Sequence, residues 1–393
     1  METQTSIKDR ILSFFRNNSM TIILVAIIAI FFVLTNGLLL KPLNVTNIIL
    51  QNSYILILAI GMLILIVLNH IDLSVGSIVA VVGALSGMLM TEMGLPVWLT
   101  IIIGLIVGAL LGAMQGFWVA YLAVPSFIVT LAGQLLFRGI TMIILKGKTI
   151  APLPKSFQVF SSKFVPEFMG PIMGLKTNAV IFGLAAIAMI WISQISSRKK
   201  KVAHDIDVES PAKFIAKMSL FTAVIAGFSF LLGSYQGIPI ILVILIALTF
   251  TYQFVMSRTK MGRHIYAIGG NIKAAVLSGI KAQKITFFAF VNMGFLAAVS
   301  GLVFASRLNA ATPQAGVSFE LDAIAACYIG GASASGGIGK VIGAIIGGLV
   351  MAVLNNGMSL MGIGIDYQQA IKGIVLLAAV SLDVYNRRKA AIN

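Results

Sequence analysis

The chain has 393 residues, of which 59% are hydrophobic and only 10% are charged. A soluble globular protein carries about 25% charged residues, so this composition excludes an ordinary soluble domain and indicates a polytopic membrane protein. The net charge of +16 comes from basic residues that cluster between apolar runs, which favours a signal for membrane topology over binding of nucleic acid.

Apolar runs long enough to cross a bilayer, which takes roughly 20 residues, follow one another along the chain. The first run exceeds the roughly 7–15 apolar residues of a signal peptide and lacks a small-residue cleavage site, so we expect a retained span. The runs are 20–38, 48–68, 73–90, 97–120, 127–145, 179–195, 215–232, 238–255, 286–304, 341–360 and 367–383.

Two polar or glycine-rich breaks interrupt this pattern, at residues 70–77 and 330–339. The apolar segment before the second break, 321–330, is too short to cross alone. We expect both breaks to be non-helical and covered by protein or water, because lipid cannot satisfy a bare backbone. The sequence therefore predicts an all-α, polytopic transmembrane helix bundle with about 10–12 membrane segments, including discontinuous helices.

Counting the short segment gives twelve crossings, which puts both termini on one side of the membrane. On that side fall 19 of the 28 Lys and Arg residues, so we expect this side to be cytoplasmic. The 198–217 and 257–284 loops then face the cytoplasm, and the 146–176 loop faces the periplasm although it carries five lysines.

The domain prediction follows from the same count. We expect a cytoplasmic N-terminal segment at 1–19, a single transmembrane domain at 20–383 and a cytoplasmic tail at 384–393.

The charged 257–284 loop must lie outside lipid, since a central Lys or Arg would cost about 2.5–3.5 kcal/mol to bury there. Gly269 and Gly270 predict a flexible turn, and Asn271 is a good N-cap. Ile272, Val276 and Ile280 then lie four apart, on one face of a short helix that we expect to dock into another protein.

Glycines repeat every four residues on two of the predicted spans. Such ridges let helix backbones approach closely, so we interpret them as packing surfaces. They are Gly104, Gly108, Gly112 and Gly116 on one span, and Gly339, Gly343 and Gly347 on the other.

The sequence contains no recognisable pattern of catalytic or metal-ligating residues. His70, His204 and His264 lack metal-ligand spacing, and the glycine-rich stretch before Lys340 does not match a phosphate-binding loop. We therefore expect neither catalytic nor metal-ligating residues in this chain.

Asp72 has two compatible interpretations, an N-cap of a helix beginning at Leu73 or a marker of a transport pathway. Glu320 and Asp322 are expected at the membrane interface. Other polar residues in or near spans are more often interhelical hydrogen-bond partners than cargo contacts. The candidates for a translocation path are Asp72, Ser74, Ser77, Gln115, Gln134, Asn292, Asn355 and Asn356.

Taken together, these motifs resemble the membrane permease of bacterial ribose-type monosaccharide ABC importers, and are most similar to the xylose and multiple-monosaccharide branch. The resemblance covers nearly the whole chain. In one departure, Lys273 and Val276 stand where the family usually has an acidic residue and an arginine. The segments that carry the resemblance are 71–77 (IDLSVGS), 124–133 (VPSFIVTLAG), 137–139 (FRG), 262–271 (GRHIYAIGGN), 277–280 (LSGI), 320–326 (ELDAIAA) and 355–357 (NNG).

The resemblance implies an importer of a xylose-like pentose or a hexose that works by alternating access in the bacterial inner membrane. Its partners would be a cytoplasmic ATPase that holds ATP and magnesium, a periplasmic or lipid-anchored sugar-binding protein, and a second permease copy. No cofactor is expected in this chain. The span pair near 178–233 resembles an insertion typical of the xylose branch. The coupling residues would be Gly269, Gly270, Asn271, Ile272, Ala274, Val276, Leu277, Ser278, Gly279 and Ile280.

Two other functions fit the sequence less well than an ABC importer permease. An ion-coupled secondary sugar transporter needs carboxylates or an ion site inside the membrane, and it has no need for the patterned 257–284 loop. A membrane-embedded enzyme would need a catalytic constellation, which the sequence does not offer.

Overall fold

The structure, a computed structural model, describes residues 19–171, 174–206 and 208–392. Over these residues the chain forms fifteen α-helices, and its only β-structure consists of two isolated bridges. The predicted all-α fold is confirmed. The predicted N-terminal segment lies outside the described residues except for Ser19, and so does Asn393 at the end of the predicted tail.

The helices follow one another with short connections, apart from the 146–176 loop. We number them in chain order. They are α1 Ser19–Leu34, α2 Pro42–Val67, α3 Val75–Thr91, α4 Val97–Ala120, α5 Ser126–Leu145, α6 Val159–Ser162, α7 Thr177–Ala203, α8 Pro211–Gly233, α9 Ile240–Arg258, α10 Lys260–Gly270, α11 Ile272–Leu277, α12 Ala282–Leu308, α13 Phe319–Ile329, α14 Val341–Leu360 and α15 Ile365–Ile392.

Eight of the described helices are long and apolar enough to cross a membrane, namely α2, α4, α5, α7, α8, α9, α12 and α14. The helices α1 and α3 are also apolar but shorter. The 11-residue α13 and the 28-residue α15 overlap the two other predicted segments, and the count of twelve crossings stays a prediction.

The described chain forms two compact units. The larger unit takes in the described part of the chain up to Leu39, then residues 48–162 and everything from Ile241 onward. The smaller unit takes in Leu40–Asn47 and Lys163–Ile240.

At the centre of the larger unit, α2 is buried along residues 55–67 and α3 is buried along residues 75–84. An uncharged apolar segment forms a helix in a bilayer because a helix satisfies every backbone group internally. Neither stretch contains a charged side chain. These two helices therefore form the core around which the partly exposed helices pack.

The glycine ridge of α4 lies against α12. A Cβ built on Gly112 would overlap the carbonyl oxygen of Phe290, and one built on Gly108 would overlap Ala298. Later residues of α4 contact earlier residues of α12: Gly104 contacts Leu302, whereas Gly112 contacts Phe290. The two helices therefore run antiparallel. Small residues permit this approach where hydrophobicity does not drive helices together.

A second antiparallel pair consists of α13 and α14. Gly343 lies against the backbone of Gly330, and Gly347 lies against the carbonyl of Ala326. Gly339, which precedes α14, contacts the side chain of Leu63 on α2. The second glycine series therefore fixes the short helix α13 beside the full-length helix α14.

The smaller unit is built on an antiparallel hairpin of α7 and α8. Gly183 on α7 lies against Ser229 on α8, and the Trp191 indole N–H donates to the Thr222 hydroxyl at 2.9 Å. Just before α8, Glu209 pairs with Lys217 of that helix at 3.5 Å. This hairpin coincides with the predicted 178–233 insertion, whose origin stays a prediction.

Candidate translocation and coupling sites

The first break in the bundle is shorter than the sequence predicts. Residues 70–74 are non-helical, but α3 begins at Val75, so the expectation that the break extends to Ser77 is wrong. Asp72 also does not cap a helix that begins at Leu73. The helix starts two residues later because Asp72 and Ser74 first close a local turn.

That turn is a buried polar network. The Ser74 backbone N–H and hydroxyl both donate to Asp72 Oδ1, at 2.8 Å and 2.7 Å. The Gln115 amide on α4 donates to the Ser74 hydroxyl at 2.5 Å. Asp72, Ser74 and Gln115 are each 0% exposed, so three of the predicted path residues meet in one closed cluster.

The network has spare acceptors. Among the described residues, neither Asp72 Oδ2 nor Gln115 Oε1 has a hydrogen-bond partner, and the buried Ser77 hydroxyl is also unpartnered. A buried polar atom left without a partner costs about 1–3 kcal/mol. The buried groups around the break can therefore each accept or donate a further hydrogen bond.

A second polar cluster forms where α13 meets α5. The Gln134 amide donates to Glu320 Oε1 at 3.1 Å. Arg138 donates to the carbonyls of Pro313 and Ala315 at 2.9 Å and 2.7 Å. Glu320 is 7% exposed, so it is buried within the protein, and its position at the membrane interface stays a prediction.

A third cluster joins α13 to α15 and α2. Lys372 Nζ lies 3.0 Å from Asp322 Oδ1 and donates to Oδ2 at 3.2 Å. The Tyr54 hydroxyl also donates to Asp322 Oδ2, at 3.3 Å. Asp322 is 2% exposed, so it too is buried within the protein. The first turn of α13 thus directs one carboxylate to α5 and another to α15.

Two of the remaining predicted path residues, Asn292 and Asn355, link pairs of helices, and Asn355 also hydrogen-bonds to Asp322 of the third cluster. Asn292 on α12 accepts from the Tyr252 hydroxyl on α9. Asn355 on α14 donates to Asn52 Oδ1 on α2 at 3.4 Å, and its neighbour Asn356 is buried. These amides fit the interhelical hydrogen-bonding role better than a shared binding surface.

The second break is non-helical from Gly330 to Lys340, as predicted for 330–339. It is fastened to the end of α2, because the Gly337 N–H donates to the Val67 carbonyl at 2.9 Å. Ala332 and Ser333 are 0% exposed. Protein therefore covers the part of the break that follows α13.

The 257–284 loop contains two helices rather than one. Gly269 and Gly270 close α10 as helical residues, so the prediction of a flexible turn there is wrong. The bend falls at Asn271, whose φ of −157° is extended. A Cβ on Gly269 would overlap the Val67 carbonyl oxygen, which explains the glycine as a close backbone contact.

The helix α10 is anchored to the second break. The Tyr266 hydroxyl donates to the Gly339 carbonyl at 2.6 Å, and burial raises the pKa of Tyr266 above its usual value. The hydroxyl therefore stays protonated and keeps donating at neutral pH. Ile265 and Ile268 are buried on the same helix, so α10, the second break and the end of α2 are packed together.

The next helix, α11, is mostly exposed and takes little part in this packing. The Asn271 side chain accepts from the Ala274 N–H at 3.0 Å, which is the geometry of an N-cap. The helix ends at Leu277, three residues before the predicted end at Ile280, because Ser278 and Gly279 close a turn.

Most of α11 is exposed, and its exposed side chains are apolar apart from Lys273. The exposed fractions are 55% for Ile272, 52% for Val276 and 90% for Leu277, whereas Ala275 is buried. Ile280 is half-buried. The remaining predicted coupling residues, Ala274, Ser278 and Gly279, are exposed on the same short segment.

Reasoning from sequence missed Tyr54, Lys372 and the carbonyl-binding role of Arg138. The available signal was the presence of Arg138 and Lys372 inside predicted spans, since charged residues there are costly and usually have partners. Within the described residues, no group of three or more His, Cys, Asp or Glu could hold a metal ion.

Comparison with known proteins gives a family for nearly the whole chain. A family model described as the permease component of the branched-chain amino acid transport system matches residues 44–380. In a comparison with solved structures, none matched the chain.

Curated relatives are similar over almost their full length. A xylose transport system permease protein of Haemophilus influenzae is 40% identical over 370 residues, covering 94% of this chain and 96% of the relative. The Escherichia coli K12 xylose permease protein is 40% identical over 367 residues, covering 93% and 91%. A ribose import permease protein of Bacillus subtilis is 36% identical over 370 residues, covering 94% and 91%.

Proposed function

This chain belongs to the family of transport-system permease components, and we propose that it is the membrane permease subunit of an ATP-binding cassette importer that carries a monosaccharide into the cytoplasm. The observation that carries the proposal is the similarity to xylose and ribose permeases over more than nine-tenths of the chain. A xylose-like pentose is the proposed cargo, with a hexose as the second candidate. The chain itself is a transport component of the inner membrane rather than an enzyme.

The proposed energy source is a separate cytoplasmic ATPase that docks on α11. Ile272, Val276 and Leu277 are exposed on α11. In water such apolar surface is unfavourable, so burying it against a partner would lower the free energy. Docking of apolar side chains from one short helix into a groove is a recurrent mode of recognition. ATP and magnesium would then bind to the partner, and this chain would hold no cofactor.

The packing of α10 gives the proposed coupling a mechanical route. A push on α11 would be passed through Asn271 to α10, which touches the end of α2 at Val67 and the second break at Gly337 and Gly339. Tightly packed interfaces transmit displacement because they resist compression. Movement of the docked ATPase would therefore reach a non-helical segment inside the membrane, as alternating access requires.

The orientation proposed from the basic residues supports the same arrangement. Both termini, α11 and the 204–210 turn would face the cytoplasm, and the 146–176 loop would face the periplasm. A sugar-binding protein, soluble or lipid-anchored, would deliver cargo on that outer side. A second copy of the permease would complete the transporter.

The test is a substitution on the exposed face of α11. We expect Val276→Asp to abolish ATP-driven sugar uptake and co-purification of the ATPase, because an unpaired charge buried in an interface costs about 3–5 kcal/mol. Val276→Ile keeps the apolar surface and serves as the matched control. Membrane insertion should be unchanged in both variants, since this side chain is exposed outside the bundle. Unchanged uptake by the Asp variant would remove α11 from the coupling route.

An ion-coupled transporter is the second candidate, because the structure buries Asp72, Glu320 and Asp322 inside the larger unit. Buried carboxylates of the kind that such a transporter needs are therefore present. Uptake measured after ATP depletion and after collapse of the proton gradient separates the two functions. Loss with ATP alone supports the importer, and loss with the gradient alone supports the ion-coupled transporter.

A further inference from the structure

A small cavity opens beside the ion pair of α13 and α15. Its volume is about 180 Å³, and it lies between α13, α14 and α15 of the larger unit. This is smaller than the roughly 300–1,000 Å³ of sites for drug-sized ligands, so it suits a small molecule. The lining includes Ser318, Leu321, Asp322, Met351, Gln369 and Lys372.

The polar side of the cavity is formed by an ion pair and an exposed amide. Asp322 Oδ1 lies 3.0 Å from Lys372 Nζ. An ammonium group has three donors, and Lys372 directs one of them to Asp322 Oδ2. Gln369 is exposed at the cavity and supplies both a donor and an acceptor.

The other side of the cavity is apolar. Leu321, Ala325, Met351 and Leu376 complete the wall opposite the polar groups. A monosaccharide has hydroxyls at its edge and C–H groups on its face, so it needs both kinds of surface. A site with a few convergent polar groups on an apolar wall is typical of small-molecule binding.

Helix packing alone is a weak explanation for the ion pair. Replacing a buried pair by apolar residues is often neutral or stabilising, so α13 and α15 could be held together without it. An ionisable residue inside a membrane protein more often marks the route of a substrate. Here the pair joins α13 to α15 at the wall of a cavity.

We propose that this cavity is where the imported monosaccharide contacts the permease, with sugar hydroxyls donating to Asp322 and accepting from Lys372 and Gln369. The proposal rests on the proposed function, because it takes a sugar as the cargo. It adds Asp322 and Lys372 to the candidate residues of the translocation path. Few contacts suit a permease that must release its cargo on the other side.

The first test compares neighbouring glutamines in proteoliposomes that contain the permease, its ATPase and its binding protein. We expect Gln369→Leu to lower D-xylose uptake by about fivefold, the factor that one hydrogen bond of average strength is worth. The loss should be smaller for a deoxy analogue that lacks the hydroxyl in contact. Gln368→Leu is the matched control, since Gln368 donates to the Ile363 carbonyl at 2.8 Å and does not line the cavity.

The second test separates sugar contact from a purely structural ion pair. The double variant Asp322→Lys with Lys372→Asp keeps a pair but exchanges donor and acceptor. We expect it to insert and assemble with the ATPase yet to transport no sugar. Full uptake with an unchanged order of sugar preference would overturn the proposal.

If the variant with the exchanged pair fails to fold, a third measurement still tests the proposal. In a Cys327→Ala background, Ser318→Cys places a thiol at the cavity, and we expect D-xylose to slow its labelling during ATP turnover. An unchanged labelling rate would overturn the proposal. Absence of sugar uptake by the wild-type transporter would instead refute the proposed function, so the two failures are distinguishable.

Discussion

Gly269 offers the sharpest test of the contact between α10 and the membrane bundle. A Cβ at this position would overlap the Val67 carbonyl oxygen and would lie 2.8 Å from the Gly337 N–H nitrogen. Neither neighbour is a flexible side chain, so the end of α10 must move away. Overpacking costs about 1–3 kcal/mol, and loosening the Gly337–Val67 hydrogen bond costs about 0.5–1.5 kcal/mol.

The adjacent glycine provides the control. A Cβ on Gly270 would meet nothing within 4 Å, and replacing a helical glycine by alanine stabilises a helix by about 0.8–1.0 kcal/mol. We therefore expect Gly269→Ala to lower the thermal unfolding midpoint and sugar uptake, and Gly270→Ala to preserve or raise both. Uptake in proteoliposomes and unfolding in detergent measure the two effects. Equal behaviour of the two variants would refute the proposed contact.

Further predictions concern topology, packing and capping. After replacement of Cys327, we expect a thiol at Lys155 to be labelled from outside intact cells and one at Val276 only after permeabilisation; the reverse pattern would invert the orientation. Gly112→Ala should destabilise the protein by about 1–3 kcal/mol, because the new Cβ would overlap the Phe290 carbonyl oxygen. Gly139→Ala should not, because the space around that position is open. Asn271→Ala should weaken ATPase binding, since losing the N-cap of α11 costs about 1 kcal/mol, and Asn271→Ser should retain it; equal affinity of the two would argue against the cap.

The sequence by itself determined the fold class and the position of most helices. Long uncharged apolar runs such as those of α2 and α4 can exist in a bilayer only as helices, because no water is present to satisfy the backbone. The N-cap at Asn271 was equally predictable, since its side chain bonds to a backbone N–H only three residues away. Both inferences rest on local chemistry or on the solvent, and neither requires knowledge of the neighbours.

The tertiary structure decided where polar groups meet. Glu320 and Asp322 are two residues apart, yet one reaches Gln134 on α5 and the other reaches Lys372 on α15. Their burial could not be inferred from sequence, because charge alone suggested the interface. Only the packing of three helices brings partners that are 186 and 50 residues distant into contact.

Gly269 shows the same division. From the sequence, two adjacent glycines predicted a flexible turn, since glycine permits backbone conformations that other residues avoid. In the structure both are helical, and Gly269 is there because the Val67 carbonyl lies where a side chain would be. The sequence shows that a glycine is present. Whether the glycine is needed for its backbone conformation or for a close contact can be decided only from the three-dimensional packing.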